Sequence, residues 1–223
     1  METDCPSRGV RKDTLNTVSL VEPWIRNHDS VMDVGCGEGW VLWELSKRRD
    51  LSNVVGVDVV DMRCVPLPSF MLFGGHRIPD ADKSHDLVML NFVLHHVPNE
   101  DKDRLLAEVR RIARRFVFIL EDTPITFIDR FLAKRHGEDF RKRVGSKASF
   151  GFLSKEEWES KFEALGFALK HSSRLGRLDR SWRQPYARTA FVLGVEAGAE
   201  SRAAVERTSR PRPSPGEAVM WEA

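Results

Sequence analysis

The sequence predicts an α/β fold in which helices cover both faces of a mostly parallel sheet. Its strand-like runs are solidly apolar rather than alternating, as expected of strands buried on both faces. Helical patterns separate the early runs, so successive strands should connect as right-handed βαβ units. There are seven such runs, at residues 31–34, 54–59, 70–73, 87–92, 116–120, 167–171 and 189–195.

Helices are predicted where apolar residues recur at a spacing of three or four. Residues 15–25 show this spacing ahead of the first strand, and we expect a helix there that acts as core cover or as a lid. The spacing returns over residues 40–49 and 101–114. Only a short polar segment joins the last two strands, so they should form an antiparallel pair at one edge of the sheet.

The chain has 223 residues with 41% hydrophobic content, enough for one domain with appendages. Its 35 basic and 33 acidic residues give a net charge of +2, which favours neither a dedicated nucleic-acid-binding protein nor an acidic disordered chain. The three cysteines, Cys5, Cys36 and Cys64, lack metal-ligand spacing and are interpreted as free thiols in a reducing compartment.

The composition also predicts the domain organisation and the location of the protein. Residues 1–27 should form a helical lid or cover, residues 28–197 the main domain, and residues 123–150 a helical insertion within it. Residues 198–223 lose periodicity and gain Pro, Ser, Arg and Glu, which predicts a disordered tail. No signal peptide and no apolar stretch of about 20 residues is present, so we expect a cytoplasmic protein with no membrane partner.

The first strand runs into three closely spaced glycines in the sequence VMDVGCGEG, residues 31–39. Glycine allows the sharp turn and the close ligand approach that a loop between a strand and a helix can use. This loop belongs at the carboxyl edge of the sheet, where ligands bind in open α/β folds. The alternative interpretation is a tight turn without a ligand.

Asp58 ends the second strand, about 20 residues after the glycines, where a carboxylate can accept both hydroxyls of a ribose. The alternative for Asp58 is a solvated helix cap. A nicotinamide dinucleotide is disfavoured, because the third glycine comes one residue too early for G-x-G-x-x-G. In addition, Trp40 stands where close helix packing needs a small residue.

Four segments, in this order, resemble the successive motifs of class I S-adenosylmethionine-dependent methyltransferases: VMDVGCGEG, GVD, IPDADKSHDLVMLNFVLHHV and EVRRIARRFVFILED. The closest likeness is to the small-molecule, methyltransferase-11-like type, over residues 28–196. The resemblance implies a Rossmann-like three-layer sandwich with a seven-stranded, mostly parallel sheet and one antiparallel edge strand. It also implies S-adenosyl-L-methionine as cofactor and S-adenosyl-L-homocysteine as product.

The same resemblance implies which residues bind the cofactor. Asp33 and the glycine loop would lie under its amino acid part, Asp58 would hold its ribose, and Asn91 would lie near its methionine portion. Family members often read the adenine with an acidic residue after the third strand, but here Gly74 and Gly75 take that place. Backbone groups or His76 would then read the adenine. The predicted set is Asp33, Gly35, Cys36, Gly37, Gly39, Asp58, Val59, Gly75, His76 and Asn91.

Methyl transfer from a sulfonium is an in-line displacement, and a hydroxyl or protonated amine acceptor needs a general base. His95 and His96 follow the fourth strand and Glu121 ends the fifth, all at the carboxyl edge. We predict His95 or His96 as the base, with Glu121 in the same catalytic group; the alternative is a packing pair at a helix start. No metal is predicted, because histidines and carboxylates at strand ends are more often hydrogen-bonded without one.

The predicted function is methyl transfer to an O or N atom of a small molecule. Basic stretches at residues 141–143 and 174–183 leave an anionic acceptor open, and residues 123–150 are predicted to form its lid. The alternatives are a catalytically inactive scaffold with this fold and an RNA or protein methyltransferase. Trp182 and Tyr186 interleave with the arginines of the second stretch, but no RNA-binding module accompanies them. The oligomeric state stays open.

Overall fold

The computed structural model describes residues 10–75, 77–144, 151–175 and 186–195, without the side chains of residues 136, 137 and 139–144. Its α-helices are α1 (Lys12–Val21), α2 (Trp40–Arg48), α3 (Asn99–Ile112), α4 (Phe127–Val144) and α5 (Lys155–Ala164). Two 3-10 turns cover Glu22–Trp24 and Leu94–His96. The strands are β1 (Ser30–Val34), β2 (Asn53–Asp58), β3 (Ser69–Leu72), β4 (His85–Asn91), β5 (Ala113–Asp122), β6 (Ala168–Arg174) and β7 (Arg188–Gly194).

The seven strands form one sheet in the order β3-β2-β1-β4-β5-β7-β6. Strands β1 to β5 pair in parallel, with β1 at the point where the strand order reverses. Strand β7 is antiparallel to both β5 and β6. The predicted antiparallel pair at one edge is thus confirmed. Within this pair the antiparallel strand is β7, and β6 is the outermost strand.

Helices cover both faces of this sheet. Helices α1 and α2 pack on one face through Val18, Val21, Leu42 and Leu45. On the other face, the apolar side chains of α3 and α5 pack against neighbouring residues of the same strands. These side chains are Leu105, Leu106, Val109 and Ile112 of α3, and Trp158 and Phe162 of α5. Because alternate strand residues enter opposite clusters, the sheet is buried on both faces, and the predicted three-layer α/β sandwich is confirmed.

Two features of the fold were not predicted. Helix α5 was missed, although Ser154 and Glu157 form a reciprocal capping box at its start. In the fully described stretch between β2 and β3, residues 59–68 form a loop rather than a helix, and Val65 and Leu67 of this loop enter the core beside α2. The cofactor end of β2 is therefore covered by a short apolar loop.

Two further predictions concern the cysteines and the chain ends. Cys36 is a buried free thiol, but Cys64 is disulfide-bonded, so the prediction of three free thiols was wrong; Cys5 lies outside the described residues. The predicted disordered tail, residues 198–223, also lies outside them. No helix in the described part of the chain is long and apolar enough to cross a membrane.

Candidate active site

The glycine loop after β1 lies at the carboxyl edge of the sheet, as predicted. The amide of Gly35 donates to the carbonyl of Val57 in β2 at 2.7 Å, and the amide of Gly39 donates back to Cys36 at 2.9 Å. Gly35, Gly37 and Gly39 all have positive φ. The loop therefore turns tightly over the end of β2 and begins α2 at Gly39.

Asp58 connects the end of β2 to this loop. One carboxylate oxygen accepts the amide of Gly37 at 2.8 Å, and the other accepts the amide of Val59 at 2.7 Å. A carboxylate has about four lone-pair positions, so Asp58 can still accept hydroxyl donors from a ligand. The structure thus gives Asp58 a role in ordering the loop that was not predicted from the sequence.

Asp33 and Asn91 form a buried polar pair at the ends of β1 and β4. The Asn91 amide nitrogen donates to Asp33 at 3.1 Å. Burial raises the pKa of Asp33 to about 8, and the charge of Asp58 adds to this effect, whereas the bond from Asn91 opposes it. The Asn91 side-chain oxygen is buried and accepts no hydrogen bond from the described residues.

These groups suit the methionine end of S-adenosylmethionine. Its ammonium group could donate to the unpartnered oxygen of Asn91, and its positive charges would favour the ionised form of Asp33. The space above Gly37 is open, because no atom lies within 4 Å of a Cβ built there. Gly75 was predicted to lie near the adenine. A Cβ placed on this glycine would lie 3.9 Å from the side chain of Val59.

Cys36 is also buried in this loop. Burial raises the pKa of its thiol, and the charges of Asp33 and Asp58 raise it further. The thiol therefore stays protonated, and Cys36 contributes its backbone and its volume rather than a nucleophile. The remaining predicted cofactor residue, His76, lies outside the described residues.

Gly35 and Gly37 provide a matched pair of substitutions in the loop. Gly35→Ala combines positive φ with a clash of the new Cβ against Val93, whereas Gly37→Ala has positive φ and open space. We expect Gly35→Ala to lower the free energy of unfolding by about 2–4 kcal/mol and Gly37→Ala by about 1–2 kcal/mol. Urea denaturation measures both. Equal losses would show that Val93 does not restrict this position.

His95 and Glu121 form a buried dyad beside this loop. Nδ1 of His95 donates to one oxygen of Glu121 at 2.7 Å, and the amide of Leu94 donates to the other oxygen at 2.6 Å. His95 is 5% exposed and Glu121 fully buried. The carboxylate thereby fixes the orientation of the imidazole and leaves Nε2 as the ring nitrogen that can accept a proton.

Charged groups around His95 determine its pKa. Burial lowers the pKa of His95, but the charge and hydrogen bond of Glu121 together with the charge of Asp122 outweigh burial, so the net direction is upward. Lys102 opposes that rise through its own charge. The ring centres of His95 and His96 lie 4.1 Å apart.

Asp122 and Arg188 form a second buried pair next to the dyad. The Arg188 guanidinium donates to Asp122 at 3.2 Å and lies 4.6 Å from the ring centre of Phe92. Burial raises the pKa of Asp122 to about 6, although His95 and Arg188 both oppose the rise. Phe92 has a φ of 59°, a strained backbone for an aromatic residue, and such strain is concentrated at functional sites.

Helix α1 reaches both halves of this region. Arg11, just before α1, makes two hydrogen bonds to Glu38 of the glycine loop, at 2.8 and 3.1 Å. Asp13 lies 3.8 Å from Arg188. The start of α1 therefore lies next to both the glycine loop and the Asp122–Arg188 pair.

Lys102 of α3 and Phe152 were not predicted as site residues. Lys102 is 1% exposed, and its ammonium donates to Asn99 at 2.6 Å and to the carbonyl of Gly151 at 2.8 Å. The amide of Gly151 donates to the carbonyl of His95, and the Phe152 ring stacks on the His95 imidazole at 5.2 Å. Lys102 therefore holds the segment that covers His95.

Lys102→Met should consequently raise the pKa of His95. The substitution removes a nearby positive charge and also loosens the Phe152 cover, and each change favours the imidazolium. A histidine NMR titration of the variant and the wild type measures this pKa directly. Lys102→Arg keeps the charge and should leave the pKa closer to wild type, whereas an unchanged pKa in Lys102→Met would contradict this role for Lys102.

Of the second basic stretch and its aromatic residues, Arg174 is not brought to the site, whereas Tyr186 lies beside the Asp122–Arg188 pair. Arg174 pairs at the surface with Glu156 at 2.9 Å, and Tyr186 is 1% exposed and is not available for stacking on RNA. The rest of that basic stretch, residues 176–185, and the side chains of residues 141–143 lie outside the described structure. Among the described residues, no group of three or more His, Cys, Asp or Glu side chains is arranged to hold a metal ion.

Comparison with known proteins agrees with this geometry. A family model described as a methyltransferase domain matches residues 32–116. A search of curated proteins found no match. Many solved structures share the fold, and three of them illustrate its range.

The methyltransferase bound to the Trm112 activator of Haloferax volcanii has a TM-score of 0.65 and 15% identity, with 83% of this chain and 90% of that one covered. Magnesium protoporphyrin IX methyltransferase from Synechocystis PCC 6803, crystallised with S-adenosylhomocysteine, has a TM-score of 0.60 and 19% identity, with 86% and 89% covered. The [4+2]-cyclase SpnF has a TM-score of 0.61 and 13% identity, with 82% and 81% covered.

The fold is that of the class I S-adenosylmethionine-dependent methyltransferases, so the resemblance stated from the sequence motifs is confirmed. More particularly, residues 32–116 match the family model described as a methyltransferase domain. This match contains the glycine loop, Asp58, Asn91 and both predicted histidines.

Proposed function

We propose that this protein transfers the methyl group of S-adenosylmethionine to an O or N atom of a small molecule, with His95 as the general base. The observation that carries the proposal is the buried His95–Glu121 dyad, which lies at the same sheet edge as the glycine loop. His95 lies in the short turn after β4, which ends at Asn91, so the base would stand close to the methionine end of the cofactor.

Asp33, Asn91, Asp58 and the glycine loop would hold the cofactor. Asn91 and Asp33 would bind its ammonium group, and Asp58 would bind the ribose while it orders the amide of Gly37. When bound, the cofactor supplies an electrophilic methyl group on a positively charged sulfur. The protein must then hold the acceptor in line with that methyl group and exclude water.

His95 would take the acceptor's proton at Nε2. Glu121 holds Nδ1–H and stabilises the imidazolium that forms, and the stacked Phe152 ring shields the imidazole from solvent. A base of this kind accelerates transfer by about 10²–10⁴-fold. The pKa of His95 is raised, which strengthens the base but restricts the neutral form to higher pH.

Two measurements test this function. Calorimetric titration with S-adenosylmethionine and S-adenosylhomocysteine should show binding of both at micromolar concentration. Incubation of the protein with methyl-tritiated S-adenosylmethionine and an extract of the source cells should then place tritium in the small-molecule fraction. The assignment would be wrong if neither ligand bound, and nuclease- or protease-sensitive label would identify an RNA or protein acceptor instead.

A non-transferring protein with this fold is the second candidate. The fold comparison includes SpnF, which is described as a [4+2]-cyclase, so this architecture also occurs in a protein named for a different reaction. The Gly74–Gly75 stretch, where family members often carry an adenine-reading acid, also favours this candidate. Binding of both nucleosides without transfer of label to any fraction would support it over the methyltransferase.

A further inference from the structure

Helix α4 begins in an exposed apolar segment, which we call the α4 tip and define as residues 125–131. Four of its side chains are largely exposed: Ile125 by 55%, Phe127 by 84%, Ile128 by 67% and Phe131 by 58%. Single exposed apolar residues are ordinary, but a contiguous group of this size marks a binding surface. On the opposite side of α4, Ala133 is fully buried.

Four backbone amides of the α4 tip already have hydrogen-bond acceptors within the tip. Asp129 accepts the amides of Ile125 at 3.2 Å and Thr126 at 3.4 Å. In return, the amide of Asp129 donates to the hydroxyl of Thr126 at 3.0 Å, and the amide of Arg130 donates to the carbonyl of Thr126 at the same distance. The tip can therefore enter a medium of low polarity without leaving these backbone donors unpaired.

Positive charge borders the apolar side chains. Arg130, Lys134 and Arg135 are all exposed. On a helix with 3.6 residues per turn, Arg130 borders the face formed by Phe127, Ile128 and Phe131, and Lys134 and Arg135 continue that face in the next turn. Asp129, the one acid in the tip, is used in the cap described above. Aromatic side chains next to exposed Lys and Arg are typical of segments that lie in the headgroup region of an anionic bilayer.

The extent of the apolar face distinguishes a bilayer from a protein groove. A helix that docks along a groove carries anchors over several turns, at positions i, i+3 or i+4, and i+7. Among the described side chains of α4 the apolar exposure ends at Phe131, and Lys134 and Arg135 follow in the next turn. A short tip with a basic collar suits shallow insertion of about 5–10 Å into a planar interface.

We propose that the α4 tip docks this protein on the surface of an anionic phospholipid bilayer. Docking of this kind is peripheral and needs no membrane-spanning helix. Four residues separate α4 from Asp122 at the end of β5, so the carboxyl edge of the sheet would face the bilayer. Docking itself does not depend on the proposed methyl transfer. If both hold, the acceptor would be an amphiphile that reaches the site from the membrane.

Vesicle co-sedimentation of the full chain tests the proposal. Vesicles of phosphatidylcholine with 30% phosphatidylglycerol, roughly the anionic fraction at which polybasic segments bind, should retain the wild type, and pure phosphatidylcholine should retain much less. Phe127→Ser with Phe131→Ser should weaken binding at least about tenfold, because two exposed aromatic side chains no longer insert. Arg130→Gln with Lys134→Gln should weaken it by a similar factor and reduce its salt dependence.

Two exposed leucines at the outer strands provide the matched control. Leu72→Ser and Leu169→Ser also remove exposed apolar side chains, 59% and 46% exposed, but from β3 and β6. We expect this double variant to bind vesicles as the wild type does. Unchanged binding by the phenylalanine variant, equal loss in the leucine variant, or no retention of the wild type by anionic vesicles would each overturn the proposal. Calorimetric binding of S-adenosylmethionine confirms that every variant is folded.

Discussion

Replacement of His95 by glutamine should lower the rate of methyl transfer by about 10²–10⁴-fold and leave the affinity for S-adenosylmethionine within about twofold. The proposed base acts on the acceptor, whereas Asp33, Asp58 and Asn91 are the residues proposed to hold the cofactor. Transfer of tritium to small molecules in the cell extract measures the rate, and calorimetry measures the affinity. Similar losses in both quantities would show that His95 organises the site rather than acting as the base.

The pH dependence of the wild type should follow the neutral form of His95. Glu121 and Asp122 raise the pKa of His95 above its ordinary value of 6.5, so the rate should rise with pH through a step above that value. Glu121→Gln removes the largest effect that raises the pKa of His95, so the step should move to lower pH. His96→Gln should keep the wild-type step. A step that disappeared in His96→Gln would identify His96 as the base instead.

The His95–Glu121 pair should also make the stability of the fold depend on pH. A histidine whose pKa is raised on folding stabilises the native state fully below pH 6.5, its value in the unfolded chain, and this contribution is lost as pH rises through the folded-state pKa. The difference in free energy of unfolding between wild type and His95→Gln should therefore shrink over that pH range. Urea denaturation at several pH values gives this difference without the acceptor.

Local patterns in the sequence predicted the sheet and the glycine loop because the physical causes are local. A buried parallel strand needs a continuous apolar run, and a tight turn with positive φ favours glycine at fixed positions. Helix α5 had a local signal as well, since Ser154 and Glu157 are spaced as a capping box. The interior position of β7 had no such signal, because it depends on which strand pairs with β5 across more than 60 residues.

The predicted site was incomplete for the same reason. Lys102 occupies the position three residues before Leu105 on the apolar stripe of α3, so its burial could have been predicted from helical spacing. That it binds Gly151, and that Phe152 then covers His95, depends on the return of the chain after α4. The hydrogen bond from the Gly37 amide to Asp58 likewise joins the glycine loop to the end of β2, and only the folded sheet brings these two segments together.

Asp58→Ala should weaken the binding of S-adenosylmethionine by about 100-fold or more. The substitution removes the proposed acceptor for the ribose hydroxyls, and hydrogen bonds to a charged group contribute about 1.5–3 kcal/mol each. It also leaves the amides of Gly37 and Val59 without the carboxylate that accepts them, so the loop under the cofactor loses order. Calorimetric titration with S-adenosylmethionine and S-adenosylhomocysteine measures both affinities.

Asp58→Asn separates these two contributions. An asparagine oxygen can still accept one of the two loop amides, but its NH₂ group cannot accept a second amide, and it cannot accept both ribose hydroxyls. We therefore expect an intermediate affinity for Asp58→Asn and a smaller stability loss than for Asp58→Ala. Methionine lacks the ribose and would make no contact with this carboxylate. Its affinities for wild type and for Asp58→Asn should therefore differ less than those of S-adenosylmethionine do. Wild-type affinity for S-adenosylmethionine in Asp58→Ala would show that the cofactor does not lie across β1 and β2, since no other described acid ends β2.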